Sequence, residues 1–236
     1  MTVLDTTVKH DRMSEKGNVL FLILIAVALF AALSYAVTQS TRSGGGDASK
    51  ETNLVNAAGI TQYPASVKTA ITRMVVSNAT DPDSLLFNPP STFSAFTTTY
   101  PATNGVFHPT GGGATYADAP ASVMQSNGAG TWHFNGENQV TNIGTSGALS
   151  TSNADVIAFL SGVKKAVCDS IHTKLGIPLT YATLTGIDVS SDMNVADPNI
   201  DAGGGTIAST ELTGQPQGCF QQPANNYVYY HVLVER

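Results

Sequence analysis

The largest group of chemically capable side chains lies in one acidic stretch near the end of the sequence, DVSSDMNVADPNID over residues 188–201. The stretch carries four carboxylates and two amides, and no Lys or Arg occurs between Leu175 and Glu235. Hard oxygen ligands at two-residue spacing suit a calcium ion. The stretch therefore predicts either a calcium site or a solvated acidic turn, and the sequence favours the turn. The candidate calcium ligands are Asp192, Asn194, Asp197, Asn199 and Asp201.

The end of this stretch resembles the first half of an EF-hand loop, because Asp197, Asn199 and Asp201 stand at alternate positions. An EF-hand needs Gly at its sixth position and Glu at its twelfth. Ala202 and Ala208 occupy those two places. The stretch is therefore not an EF-hand.

The other reactive residue types form no recognisable catalytic set. The five His residues show no metal-ligand spacing, and neither a nucleophile elbow nor a P-loop nor a dinucleotide fingerprint is present. Cys168 and His172 stand one helical turn apart, which would permit a Cys–His contact if Cys168 were unpaired. We predict that the protein is not an enzyme and has no cofactor apart from the candidate calcium ion.

The charge pattern disfavours a nucleic-acid partner. Charged residues make up 12% of the sequence, the formal net charge is -6, and no Lys or Arg occurs from Met74 to Val163. Binding to a phosphate backbone needs clustered cations. No nucleic-acid partner is therefore expected.

A membrane segment is the strongest signal in the chain. Residues 19–37 read VLFLILIAVALFAALSYAV and contain no charge. A helix of this length spans roughly 28 Å, close to the thickness of the hydrocarbon layer. Basic residues precede the segment, at Lys9, Arg12 and Lys16, and place the N-terminus in the cytoplasm. A plain signal anchor, or a secretory signal cleaved near Ser34-Tyr35-Ala36, would show the same run.

Two cysteines, Cys168 and Cys219, both follow the membrane segment and so lie on its outer side. In an oxidising compartment the default for such a pair is one disulfide. It would close a loop of roughly 50 residues and stabilise the fold by about 4 kcal/mol in the chain-entropy account.

The residues directly before the membrane segment resemble a class III signal. Glu15-Lys16-Gly17 is polar and ends in Gly, and the apolar run follows Asn18. This pattern resembles type IV prepilins and pseudopilins, whose leader a membrane peptidase removes on the cytoplasmic side. The resemblance implies cleavage after Gly17, methylation of Asn18 as the new first residue, and a helix that becomes the spine of a filament.

Two positions depart from the family pattern. Asn18 stands where the family usually has Phe or another apolar residue, and Leu22 stands where it has a Glu that pairs with the N-terminal amine of a neighbouring subunit. A carboxylate in lipid is costly unless it is paired, so its presence marks a partner. Its absence points to a minor, tip-type subunit or to another assembly rule.

The resemblance implies a structural subunit of a type IV pilus-like or pseudopilus filament. Its partners would be other pilin subunits, the prepilin peptidase and the inner membrane, with the head periplasmic or extracellular. The family also pairs late cysteines, and pseudopilins carry calcium in C-terminal loops. The alternative is a signal-anchored periplasmic or surface binding module that is not assembled into a filament. Removal of residues 1–17 distinguishes the two.

Four regions follow from these assignments. They are a leader at 1–17, a transmembrane or spine helix at 18–43, a stalk helix region at 44–80, and a globular head at 81–236. We expect an α+β fold, in which a long hydrophobic spine helix carries a head of short antiparallel strands and one packed helix. Gly44-Gly45-Gly46 and Pro64 predict a break and a kink in the helical part.

Within the head, hydrophobic periodicity predicts individual elements. Asn135-Gly136 predicts the turn of a hairpin that pairs 130–134 with 137–143. A helix is expected at 154–175, with Asn153 as its N-cap. Short strands are expected at Phe93–Phe96 and Val106-Phe107, and a terminal strand at Tyr227–Val234.

Overall fold

The computed structural model describes residues 16–145, 147–198, 200 and 203–236, apart from the side chains of residues 16–18 and 40–47. The chain divides into two compact units, Met1–Lys50 and Glu51–Arg236. The described residues have an α+β fold, as the sequence predicts. Its helices and strands are α1 (Lys16–Asn78), β1 (Trp132–Val140), β2 (Asp155–Val163), α2 (Lys165–Leu175), β3 (Thr206–Ile207), β4 (Gln217–Gln221) and β5 (Tyr227–Val234).

The first unit contains an apolar helical segment, Val19–Gln39, that is long and apolar enough to cross a membrane. The ability to cross a membrane is inferred from the length and composition of the helix, and a signal sequence near the N-terminus has the same length and composition. The helical backbone continues through Gly44-Gly45-Gly46, so the break predicted there does not occur. Three glycines lower the intrinsic stability of a helix without forbidding its backbone conformation.

The second unit is built around one sheet with the strand order β3-β1-β2-β5-β4. The pairs β1–β2, β2–β5 and β5–β4 are antiparallel, while the two-residue β3 runs parallel to β1. The two central strands, β2 and β5, are buried along almost their whole length. They are buried on both faces, which explains their nearly continuous apolar sequences. The terminal strand predicted at Tyr227–Val234 is confirmed.

Alternate side chains of the central strands supply two apolar layers. In β2, Ala158 and Leu160 face the layer that also contains the buried residues of α1 and α2. Ile157 and Phe159 face the opposite layer, which is closed by residues from the segments between α2 and β4. The helices therefore cover one face of the sheet, and irregular chain covers the other.

The prediction of a helix at 154–175 is wrong for its first half. Residues 155–163 form strand β2, and only residues 165–175 are helical. A short apolar run fits a buried strand as well as a buried helix. The backbone changes conformation between the two elements. Gly162, near the end of β2, has a φ of 80°, and Lys164, directly before α2, is extended. Asn153 does not cap a helix; its Oδ1 accepts from the Ser150 backbone N–H in the turn before β2.

The predicted hairpin is also wrong, since β1 continues without a turn from Trp132 to Val140. Asn135-Gly136 lies inside the strand, where the pairing register with β2 shifts. A Cβ atom at Gly136 would lie 2.5 Å from the Ile200 side chain. Gly136 therefore serves a close approach between chain segments, which is the other common reason for Gly in a strand.

Two smaller predictions also differ from the structure. Residues 90–95 form a 3-10 turn where a strand was expected at Phe93–Phe96. Val106-Phe107 lies outside the named strands and follows an isolated bridge between Leu86 and Gly105. Pro90 stands at the start of the 3-10 turn, where its fixed φ suits a turn.

Asn138 is the buried polar group that ties the irregular part of β1 to neighbouring segments. Its Nδ2 donates to the Asp188 carbonyl at 2.7 Å and to Asn135 Oδ1 at 3.0 Å. Its Oδ1 accepts from the backbone N–H groups of Asp188 at 3.0 Å and Gly205 at 2.9 Å. A single fully buried amide thus satisfies three backbone groups that no strand reaches.

We predict that Asn138→Leu lowers the free energy of unfolding by about 2 kcal/mol, because at nearly constant side-chain volume it leaves the partly buried backbone N–H groups of Asp188 and Gly205 without their acceptor. Urea unfolding followed by circular dichroism measures the loss. Asn127→Leu, at an exposed position, is the matched control and should change stability by less than about 0.5 kcal/mol. Equal effects of the two substitutions would contradict this role of Asn138.

Candidate functional site

The processing residues predicted from the sequence lie at the start of α1. Gly17 and Asn18 have helical backbone, and the Asn18 side chain lies outside the described part of the chain. The rest of the leader, residues 1–15, also lies outside it. The predicted cleavage site therefore lies at the N-terminal end of the apolar helix.

The apolar segment exposes its large side chains. Leu22 is 59% exposed and Phe30 is 77% exposed. Polar groups near the C-terminal end of the segment bond within the helix, where Thr38 Oγ1 donates to the Ser34 carbonyl at 2.7 Å and Gln39 Nε2 donates to the Tyr35 hydroxyl at 2.7 Å. Such internal bonding is what a helix needs where water is absent.

The two cysteines are joined, which confirms the disulfide predicted from the sequence. Cys168 in α2 and Cys219 in β4 are bonded with their Cα atoms 5.9 Å apart, and both side chains are fully buried. The disulfide leaves Cys168 without a thiol, so the alternative of a Cys168 nucleophile beside His172 does not fit this structure.

His172 contacts the other cysteine of the pair through the backbone. Its Nε2 accepts from the Cys219 backbone N–H at 2.9 Å, and its Nδ1 lies 2.8 Å from the Pro178 carbonyl oxygen. The imidazole is fully buried. Burial lowers the pKa of His172, and the bond to the Pro178 carbonyl acts in the opposite direction. The spacing of Cys168 and His172 was the one sequence signal that pointed to this position, although it suggested a thiol contact.

In the acidic stretch, Asp192 binds strand β1. Its Oδ1 accepts from the Phe134 backbone N–H at 2.7 Å, and its Oδ2 lies 3.1 Å from His133 Nδ1. The hydrogen bond to Asp192 raises the pKa of His133. Burial of the imidazole has a smaller effect in the opposite direction. Both carboxylate oxygens of this candidate ligand are therefore engaged by donors of the protein itself.

Two of the other candidate calcium ligands, Asn194 and Asp197, lie together in one turn of the chain. Asn194 Oδ1 accepts from the Ala196 backbone N–H at 2.8 Å, and Asn194 and Asp197 are joined by two backbone hydrogen bonds of 3.0 Å. Asn199 and Asp201 lie outside the described residues. Among the residues that the structure describes, no three His, Cys, Asp or Glu side chains form a group that could hold a metal ion.

A buried carboxylate within the span that was expected to be helical, 154–175, lies instead at the start of β2. Asp155 is fully buried and accepts from the backbone N–H groups of Val140 at 2.9 Å and Arg236 at 3.0 Å. Burial raises the pKa of Asp155 to about 6, although these two bonds oppose the change. No sequence pattern indicated that Asp155 accepts these two bonds, because they require the end of β1 and the residues after β5 to lie next to the start of β2.

The comparisons with known proteins find no relative. No protein family, no curated protein and no solved structure matches the chain.

We predict that calcium does not stabilise the protein, because the described oxygens of Asp192 and Asn194 already accept hydrogen bonds from the chain. Melting temperatures measured with added calcium chloride and with EDTA should agree. Magnesium chloride at the same ionic strength is the control for general salt effects. A rise in melting temperature specific to calcium would instead assign an ion to the acidic stretch.

The His133–Asp192 pair predicts a pH dependence of stability. The pKa of His133 is raised on folding, so its contribution is fully present below the unfolded value near 6.5 and is lost as pH rises through the folded value. We expect His133→Gln to cost less than about 1 kcal/mol, with a larger loss at about pH 5.5 than at about pH 8.5. Urea unfolding at both pH values measures it. A pH-independent loss would contradict the pairing.

Proposed function

We propose that this chain is a structural subunit of a type IV pilus-like or pseudopilus filament, cleaved after Gly17 and assembled through its N-terminal helix. The observation that carries the proposal is the combination of Lys16-Gly17 with the exposed apolar helix Val19–Gln39 that follows at once. A cut at this place leaves the membrane-competent helix on the protein, whereas a secretory cleavage site lies beyond the apolar run.

The second unit supports the proposal through the helical part that it contains. Residues 51–78 of α1 bury one face against the sheet and leave the other in solvent, where Val55 and Val76 are 71% and 78% exposed. An amphipathic helix of this kind packs on the head through its buried apolar face. Its outer face remains available for neighbouring subunits. The buried residues of this part include Ala57, Ile60, Val67, Ile71 and Met74.

The composition of the head suits a structural role. The sequence shows no catalytic motif, and His172 and Asp192 each accept a bond from a backbone N–H group. The buried disulfide restricts the unfolded chain of a head that would work outside the cell. We therefore propose a subunit without enzyme activity.

The proposed partners follow from assembly. The subunit would reside in the inner membrane before assembly, with its N-terminus in the cytoplasm and its head in the periplasm, and would contact the prepilin peptidase and other pilin subunits.

The competing function is a signal-anchored binding module that never enters a filament. Leu22 departs from the family pattern and points, within the proposal, to a minor subunit or to another assembly rule.

We predict that the protein recovered from membranes of a host with a prepilin peptidase begins at Asn18 and carries one additional methyl group. Intact mass and sequencing of the terminal peptide measure both. Gly17→Val should block the cut, because a branched side chain obstructs the extended backbone that a peptidase must bind.

The matched control is Gly59→Ala, a helical position with open space around the added methyl group. It should leave processing unchanged. A wild-type protein that still begins at Met1 would contradict the filament subunit and favour the anchored module. A start close to Val37 would mean a secreted head without a spine.

A further inference from the structure

We propose that His172 and the Cys168–Cys219 disulfide form a two-part latch that holds α2 on the edge strand β4. In this latch the neutral imidazole and the disulfide each suffice to keep α2 in place. The latch opens when the disulfide is reduced and the imidazole is protonated together. The inference does not depend on the proposed filament function.

The contacts of His172 determine its protonation state. The Pro178 carbonyl can only accept, so Nδ1 must carry the hydrogen of the 2.8 Å bond. The Cys219 backbone N–H can only donate, so Nε2 must present its lone pair across 2.9 Å. His172 is therefore neutral, in the Nδ1–H tautomer. A proton added at Nε2 would face the Cys219 N–H and abolish that bond.

Strand β4 is an edge of the sheet, and its outward backbone groups need acceptors and donors from elsewhere. The Gln221 N–H donates to the Ala182 carbonyl at 2.9 Å, and the Gln221 carbonyl accepts from the Leu184 N–H at 2.9 Å. The segment beyond α2 therefore covers one end of β4. His172 covers the middle of it by accepting from Cys219.

Both parts of the latch end on the same residue. Cys219 is held through Sγ by Cys168 and through its backbone N–H by His172, and the two partners are four residues apart on one face of α2. Loss of one connection leaves the other with its geometry intact. Reduction by a dithiol supplies two electrons and two protons, converts the disulfide to two thiols, and leaves the reductant as a disulfide.

The acidic groups around His172 favour its protonation, and burial opposes it more strongly. Asp169 and Glu211 act to raise the pKa of His172, and burial outweighs both. The Tyr181 ring lies 4.7 Å from the imidazole, and its hydroxyl donates to Asp169, which also pairs with Lys165. Tyr227 lies behind Tyr181, at 5.0 Å between ring centroids. The stabilising contact is therefore fully present above the unfolded His value of about 6.5 and is lost as pH falls.

The test uses the full chain in detergent micelles and amide hydrogen exchange at about pH 7.5 and about pH 5, on either side of the ordinary His pKa. Protection factors are compared for the peptides of β4 and β2. Oxidised wild-type protein should protect β4 at both pH values. The double variant Cys168→Ala/Cys219→Ala should protect β4 at the higher pH and lose at least about tenfold in protection at the lower one.

Three further substitutions in the double variant separate the imidazole from general acid effects. His172→Gln offers an amide oxygen near the position of Nε2 that does not titrate, so β4 should stay protected at both pH values. His172→Leu removes the acceptor, so β4 should be unprotected at both. His231→Gln is the matched control, because His231 is buried in the adjacent β5, and it should keep the loss at low pH.

The proposal is overturned if the double variant protects β4 equally at both pH values, or if His172→Gln loses protection as the parent does. It is also overturned if β2 and β4 lose protection together, since that result means global unfolding. If the cysteine variants do not fold, the disulfide-intact protein provides the test through NMR. There the Cys219 amide alone should exchange at least about tenfold faster in His172→Leu than in His172→Gln.

Discussion

The pairing of β2 with β5 is the constraint on which the rest of the structure depends. The two strands pair over nearly their full length, from Val156 opposite Val234 to Val163 opposite Tyr227. Because both strands are buried on both faces, they need cover above and below. The helices supply it on one face and the segments between α2 and β4 supply it on the other. Strands β1 and β4 pair with the two sides of the β2–β5 pair, and β3 is added beyond β1.

Side chains complete the sheet at places that no strand reaches. Asn138 satisfies backbone groups beside the irregular part of β1, Asp192 accepts from Phe134, and His172 accepts from Cys219. A buried backbone N–H without a partner costs roughly 1–3 kcal/mol, so each of these polar side chains has a structural role. The acidic stretch that looked like a calcium site is used in the same way, since Asp192 is one of these acceptors.

The sequence was sufficient where a single strong signal decided the element. The apolar segment, the disulfide and the terminal strand at Tyr227–Val234 could be predicted because length, compartment and β-branched composition each point to one outcome. Residues 154–175 could not, since a buried central strand followed by a helix shows the same apolar density as one helix. Gly136 was misread because a Gly needed for close contact with Ile200 resembles a turn Gly. The roles of Asn138 and His172 depend on long-range contacts that local patterns do not contain.

The two units differ in how their apolar surface is covered, and this difference bears on the proposed assembly. The second unit buries its apolar side chains in layers of its own, whereas the segment Val19–Gln39 leaves its large apolar side chains exposed. An apolar surface of that extent needs lipid or other protein around it. In the proposed filament, assembly would exchange lipid for neighbouring helices around the same segment. Since Leu22 offers no carboxylate for an ion pair, the register between subunits would have to come from side-chain packing and from contacts between heads.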